Sequence, residues 1–137
     1  LHPYADEEFL VREGKLRVLV DGAWQELGPG QSLIVPRGTP HLFRNGHDGE
    51  TRFTARFRPA MQFLRMFLTM SLNVVRHPEW YDTRGEPPLL LQALTFHAFG
   101  GHGYVEGIPV WIQRLLFAAL TPLALIRGYR LAVRPRR

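Results

Sequence analysis

The feature that most constrains the fold is the regular spacing of turns in the first 57 residues. Short runs rich in β-branched and aromatic residues alternate there with glycine, proline, asparagine and aspartate. The first group favours strands and the second favours turns. Asp21-Gly22, between two such runs, predicts a tight hairpin. The pattern therefore predicts a mainly β, antiparallel barrel or jelly roll, with strands over residues 7–11, 16–20, 24–27, 32–35, 41–44 and 51–57.

Side chains two residues apart share one face of a strand. Glu7, Phe9 and Val11 fall on one face of the first predicted strand, and His41 and Phe43 on one face of the fifth. We predict that both faces line the interior. A carboxylate in such a place is costly unless it is paired or binds an ion, which makes Glu7 a candidate ligand.

Two spacings carry a family resemblance. The first runs from Gly30 to Asn45: five residues separate Gly30 from Pro36, one separates Pro36 from Gly38, two separate Gly38 from His41, and three separate His41 from Asn45. The second lies upstream, where four residues separate His2 from Glu7 and six separate Glu7 from Gly14. These spacings resemble the two sequence motifs of the cupin family. The resemblance implies a small β-barrel with a metal site in its mouth. It implies metal ligands at His2, Glu7 and His41, a ligand pocket lined by Phe9, Val11, Phe43 and Phe53, and turns at Gly14, Gly30, Pro36, Gly38 and Asn45.

The cupin motif opens with His-x-His, and His2 matches the second of that pair. We therefore expect an N-terminally truncated barrel, with the first histidine and further strands upstream of Leu1. Two imidazoles and one carboxylate suit a divalent transition metal, namely Fe, Mn, Ni, Cu or Zn. Some cupins keep the turns and bind no metal, or bind sugars or other small molecules, so this alternative stays open.

The pattern changes after residue 58, which predicts a barrel over residues 1–58 and a helical extension over 59–137. Helices are predicted over 61–76, over 89–99 with an end at Gly100-Gly101, and over 110–133 with an interruption at Pro122. We expect the extension to pack on the barrel or to form a homodimer contact. Peripheral membrane contact is less favoured, and the uncharged stretch between Arg114 and Arg127 is shorter than the roughly 20 residues of a span.

The absence of cysteine excludes disulfides, zinc–thiolate sites and thiol catalysis, and agrees with a cytoplasmic location. The net charge is +5, and we interpret the arginines at 127, 130, 134, 136 and 137 as a solvated tail. No nucleic-acid partner is expected, because the tail lacks interleaved aromatic residues.

The resemblance implies a protein that binds a divalent metal and a small organic ligand, as a metal-dependent oxygenase or isomerase. The alternative is a non-catalytic binding or scaffold module whose extension mediates dimerisation or membrane association. No catalytic residue stands out, and His47, His77, His97 and His102 are expected to be solvated or structural.

Overall fold

A computed structural model describes residues 1–100 and 102–136. Gly101, part of the predicted end of the second helix, and Arg137, the last arginine of the predicted tail, lie outside the described residues. The chain divides into two compact units, Leu1–Met61 and Gln62–Arg137. They are called here the β unit and the helical unit, and each is described by itself.

The β unit contains two antiparallel three-stranded sheets, which confirms the predicted antiparallel β fold. One sheet has the order β4-β1-β6 and the other β3-β2-β5. The strands run β1 Asp6–Glu13, β2 Leu16–Val20, β3 Ala23–Leu27, β4 Ser32–Val35, β5 His41–Asn45 and β6 Arg52–Arg58. The predicted strands are correct to within two residues at each end.

The core of the β unit lies between its two sheets. Phe9 and Val11 from β1 meet Leu16 and Val18 from β2, and all four are at most 1% exposed. Each of these side chains alternates with a more exposed neighbour, as the period of a strand requires. Burial of one such side chain is worth roughly 1.5–3 kcal/mol, so this alternation fixes which face of β1 points inward.

Two tight turns depend on residues with positive φ. The β2–β3 hairpin turns at Asp21 and Gly22, with φ of 48° and 79°, as the Asp-Gly sequence predicts. Gly14 ends β1 at φ 74°, and a Cβ there would lie 2.6 Å from the backbone oxygen of Glu50. Any side chain at position 14 therefore meets both an unfavourable backbone conformation and a fixed obstacle.

The helical unit contains α1 Phe63–Arg76, a short 3-10 turn Pro78–Trp80, α2 Leu89–Ala98 and α3 Val110–Ile126. The predicted extension of the last helix to residue 133 is wrong, as is its interruption at Pro122. Pro122 lies inside α3, where it removes one backbone hydrogen bond without ending the helix. The helix ends where Gly128 adopts φ 89° and donates its N–H to the Leu125 carbonyl.

The chain beyond α3 runs along α1 instead of continuing as a helix. We call residues 130–136 the C-terminal strap. Asn73 donates to the Arg130 carbonyl at 3.0 Å and accepts from the Ala132 N–H, while Thr69 donates to the Val133 carbonyl at 2.6 Å. Arg65 donates to the backbone carbonyl of residue 134, and Gln62 contacts backbone atoms of residue 136. These bonds satisfy the buried polar groups of Thr69 and Asn73.

Candidate metal centre

Three side chains converge in the β unit. Glu7 lies on β1, His41 is the first residue of β5 in the other sheet, and His2 precedes β1. Oε2 of Glu7 lies 3.1 Å from Nε2 of His2 and 2.9 Å from Nε2 of His41. One ligand atom from each residue lies within 4.8 Å of the other two. All three residues predicted from the motif spacing are therefore neighbours.

The turn at Pro36–Thr39 holds the N-terminal segment in place. Gly38 has φ 77°, and its N–H donates to the carbonyl of His2 at 2.9 Å. The N–H of Arg37 donates to Oδ1 of Asp6 at 2.9 Å, and its guanidinium contacts the same carboxylate. These contacts bind both ends of the segment 2–6 to the turn that leads into β5. Sequence reasoning missed Asp6 and Arg37, because nothing in their spacing marks them.

The ring of His41 is oriented by a backbone carbonyl. Its Nδ1 lies 2.8 Å from the oxygen of Thr39, and a carbonyl can only accept, so Nδ1 carries the proton and donates. In the neutral ring the lone pair of Nε2 then points at the carboxylate of Glu7. Two acceptors at 2.9 Å require a proton or a metal cation between them. Metal-binding histidines commonly donate their other ring N–H to a backbone carbonyl, as Nδ1 of His41 does to Thr39.

Glu7 is only 3% exposed. Burial raises the pKa of its carboxyl group, but hydrogen bonds and electrostatic attraction from His2 and His41 lower it by more, so the pKa lies below its ordinary value. The edge of the Phe57 ring packs against His2, with centroids 5.4 Å apart. The site is therefore a nearly dry, ionised carboxylate between two imidazoles, and this donor set fits a borderline divalent metal.

The predicted pocket residues divide into two groups. Phe9 and Val11 are fully buried, whereas Phe53 is partly buried and Phe43 is 48% exposed. The rings of Phe9, Phe43 and Phe53 form a triangle with centroid separations of 5.2–5.9 Å. Phe9 also lies 6.2 Å from the ring of His41. An aromatic surface thus extends from the candidate metal centre to solvent.

The predicted turn residues lie in loops and at strand ends of the β unit. Gly30 has φ 80° and donates its N–H to the carbonyl of Val11, while the carbonyl of Pro36 accepts the N–H of Thr39. The amide of Asn45 bonds to the carbonyl of Gly49 at 2.7 Å. These contacts join strands and close loops, whereas the predicted turn residue Gly38 contacts a candidate ligand directly, through the carbonyl of His2.

The remaining histidines do not join the candidate centre. His47 and His97 are exposed, and His77 stacks on Trp80 with centroids 3.9 Å apart. His102 is buried, where its Nδ1 donates to the Phe99 carbonyl and its Nε2 accepts the N–H of Gln62. Among the described residues, His2, Glu7 and His41 form the group able to hold a metal ion.

Residues 1–57 match the family model described as "Cupin domain". The β unit is a cupin domain. Two curated relatives match over 58 residues: "Polyketide synthase CurC" of Streptomyces cyaneus at 40% identity, covering 42% of this chain and 38% of the relative, and "Protein SchB" of Streptomyces halstedii at 36%, covering 42% of each. The chain thus spans about two-fifths of the length of these relatives.

Among solved structures, part of the chain is similar to protein BH2720 of Bacillus halodurans. That match has a TM-score of 0.40 at 22% identity, and covers 42% of this chain and 48% of the other. With the cupin domain identified, its two three-stranded sheets are the cupin-type β fold that the motif spacings implied.

Proposed function

We propose that the cupin domain holds a divalent transition metal through His2, Glu7 and His41, and binds a small organic ligand beside it. The observation that carries this proposal is the bond from Nδ1 of His41 to the Thr39 carbonyl, which turns an imidazole lone pair toward a buried carboxylate. The set of two imidazoles and one carboxylate suits Fe, Mn, Ni, Cu or Zn.

Each residue has a distinct part in this proposal. Glu7 supplies the negative charge that offsets the cation, and the Thr39 carbonyl keeps His41 in the tautomer that can bind it. Phe57 limits the movement of His2. When bound, the metal supplies Lewis-acid or redox chemistry to a ligand that reaches it. This is the basis for oxygenase or isomerase activity as the finer hypothesis.

The aromatic triangle of Phe9, Phe43 and Phe53 defines the ligand class that we propose. Phe43 and the partly buried Phe53, both packed against the buried Phe9, offer apolar ring surface on one side of the site, and the candidate metal ligands lie on the other. A flat aromatic molecule with oxygen substituents would satisfy both surfaces. The Streptomyces cyaneus relative is named a polyketide synthase, which supports an oxygen-substituted organic ligand for the cupin domain.

Metal content of the purified full chain, measured by mass spectrometry, tests the first half of the proposal. We expect near-stoichiometric metal in the parent chain and in His47→Ala, which removes an exposed histidine away from the site. We expect a loss of metal in His41→Ala. Equal metal in all three proteins, or none after reconstitution, would refute the metal site.

Binding of an oxygenated aromatic probe such as salicylate tests the second half. Titration followed by fluorescence should give tighter binding to the metal-loaded chain than to the metal-free chain, and weaker binding to Phe43→Ala. Consumption of the probe or of O2 would then separate an enzyme from the alternative, a non-catalytic binding module.

A further inference from the structure

Helix α3 exposes large apolar side chains to solvent, and its buried positions are Gln113, Phe117 and Ala124. Gln113, 2% exposed, faces inward, and its amide bonds to the backbone of Val105 and Ile108. Trp111, Leu115 and Ile126, on the outward side of the helix, are 65%, 64% and 80% exposed. Arg114 is the only charged residue between Val110 and Ile126. The helix thus keeps large apolar side chains on its exposed side, where an ordinary surface helix carries polar ones.

Helix α1 also exposes large apolar side chains. Its buried side combines Phe63 and Met66 with Thr69 and Asn73, and the last two bind the C-terminal strap. Its exposed positions include Leu64 and Val75, which are 72% and 77% exposed. The helical unit therefore turns apolar side chains outward on two helices. In water-soluble proteins, a large patch of exposed apolar side chains marks a site that binds another molecule or a membrane.

The charge of the chain indicates what the helical unit binds. Residues 62–137 contain nine arginines, no lysine and four acidic residues, a net charge of +5, whereas residues 1–61 contain eight basic and eight acidic residues. The entire excess of positive charge thus lies in the helical unit. Association of two copies through this unit would bring like charges together, whereas an anionic surface would attract it.

The arginines lie close to the apolar surface in sequence and are held in place. Arg114 lies on α3 and Arg127 directly follows it. Arg134 and Arg136 are exposed, and their backbones are bound to α1 through the strap. Among the described residues no helix is long and apolar enough to cross a membrane. An apolar face with flanking arginines suits a surface that carries negative charge on its outside and has an apolar layer beneath that charge.

We propose that the helical unit binds the surface of a bilayer that contains anionic lipid. The outward side of α3 lies among the outer acyl segments, and the arginine side chains lie among the phosphate groups. The contact is peripheral and is independent of the metal in the cupin domain. Trp111, near the start of α3, occupies the headgroup level that tryptophan prefers.

Co-sedimentation of the full chain with vesicles tests this proposal. Vesicles of phosphatidylcholine mixed with phosphatidylglycerol should bind the chain, and vesicles of phosphatidylcholine alone should not. Binding should weaken as salt is added, because salt screens exposed charges. The emission of Trp111 should shift to shorter wavelength on binding, and this shift should be lost in Trp111→Phe.

Two variants separate the charge contribution from the apolar one. Arg134→Gln with Arg136→Gln should weaken binding by about fivefold for each arginine removed. Leu115→Gln with Ile126→Gln should weaken it by roughly tenfold or more. Both pairs are exposed, so the fold should survive, and circular dichroism checks this.

Arg12→Gln and Ile34→Gln make the same chemical changes in the cupin domain and should leave binding unchanged. Failure of the parent chain to bind either type of vesicle would overturn the proposal. Self-association in solution that is lost in the Leu115→Gln pair, without vesicle binding, would also overturn it and assign the apolar face to a second copy of the chain.

Discussion

Replacement of Glu7 by glutamine should separate the metal-binding role of this side chain from its structural role. Glutamine has nearly the same shape, and its amide can donate a hydrogen bond to Nε2 of His41, whose Nδ1 is already engaged by Thr39. The buried pair therefore stays satisfied without a metal. We expect the free energy of unfolding of the metal-free chain to change by no more than about 1 kcal/mol.

The metal-loaded chain should behave differently. A free metal concentration of 100 times the dissociation constant stabilises the parent cupin domain by about 2.7 kcal/mol. Loss of a partner outside the ligand shell weakens metal binding by about 10–100-fold, so loss of the carboxylate itself should weaken it by at least about 100-fold. At the same metal concentration, Glu7→Gln then gains only about 0.4 kcal/mol.

Thermal unfolding with and without Zn²⁺ measures the difference. For a domain of this size, about 1 kcal/mol corresponds to roughly 4–8 °C in Tm. The parent chain and His47→Ala should therefore gain roughly 10–20 °C, and Glu7→Gln about 2–3 °C. An equal gain in Glu7→Gln would show that the carboxylate is not a ligand. A metal-free variant destabilised by more than about 3 kcal/mol would show that Glu7 acts mainly as the partner of a buried imidazolium.

Three further outcomes follow from the structure. Gly14→Ala should destabilise the cupin domain more than Gly30→Ala does in denaturant unfolding, because both have positive φ but only Gly14 has backbone within 2.6 Å of the added Cβ; equal losses would contradict this. Asn73→Ala should cost about 1–3 kcal/mol of helical-unit stability and Ser71→Ala, exposed on the same helix, almost nothing. Hydrogen bonds from backbone N–H groups of its own loop lower the pKa of Asp82 in the folded chain. The loop should therefore keep its order above pH ~3.9, the ordinary pKa of an aspartate, and lose it only as the pH falls through the lower pKa of the folded state. An NMR titration of the loop amides with a midpoint above pH ~3.9 would contradict this direction of the pKa shift.

The strands and the convergence of the candidate ligands were predictable, because both depend on short-range patterns. Alternation alone places Glu7 on the same face as Phe9, and the spacing from Gly38 to His41 sets where β5 begins. The role of the Thr39 carbonyl was not predictable, because any residue type supplies a carbonyl. The contact of Asp6 with Arg37 joins residues far apart in sequence, and no local pattern reports such a pair.

The end of the last helix shows a different limit. The apolar residues near Val133 have the composition of a helix, and Pro122 has the usual effect of a helix breaker. The structure departs from both expectations because tertiary contacts outweigh local propensity. The polar side chains of α1 offer hydrogen bonds to a non-helical backbone, and Gly128 provides the turn at which the chain leaves α3.

The hydrogen bonds that tie the strap to α1 and its cap residue Gln62 end on backbone atoms of the strap, so these bonds do not depend on the strap's side chains. Its bound N–H groups belong to Ala132, Val133 and Arg136, and Pro135, which has no N–H, lies between them at a position where none is used. Replacement of the exposed side chains at positions 134 and 136 therefore leaves these bonds in place, provided that proline avoids position 136. A labelled residue at either position would report on the strap while the helix still holds its backbone.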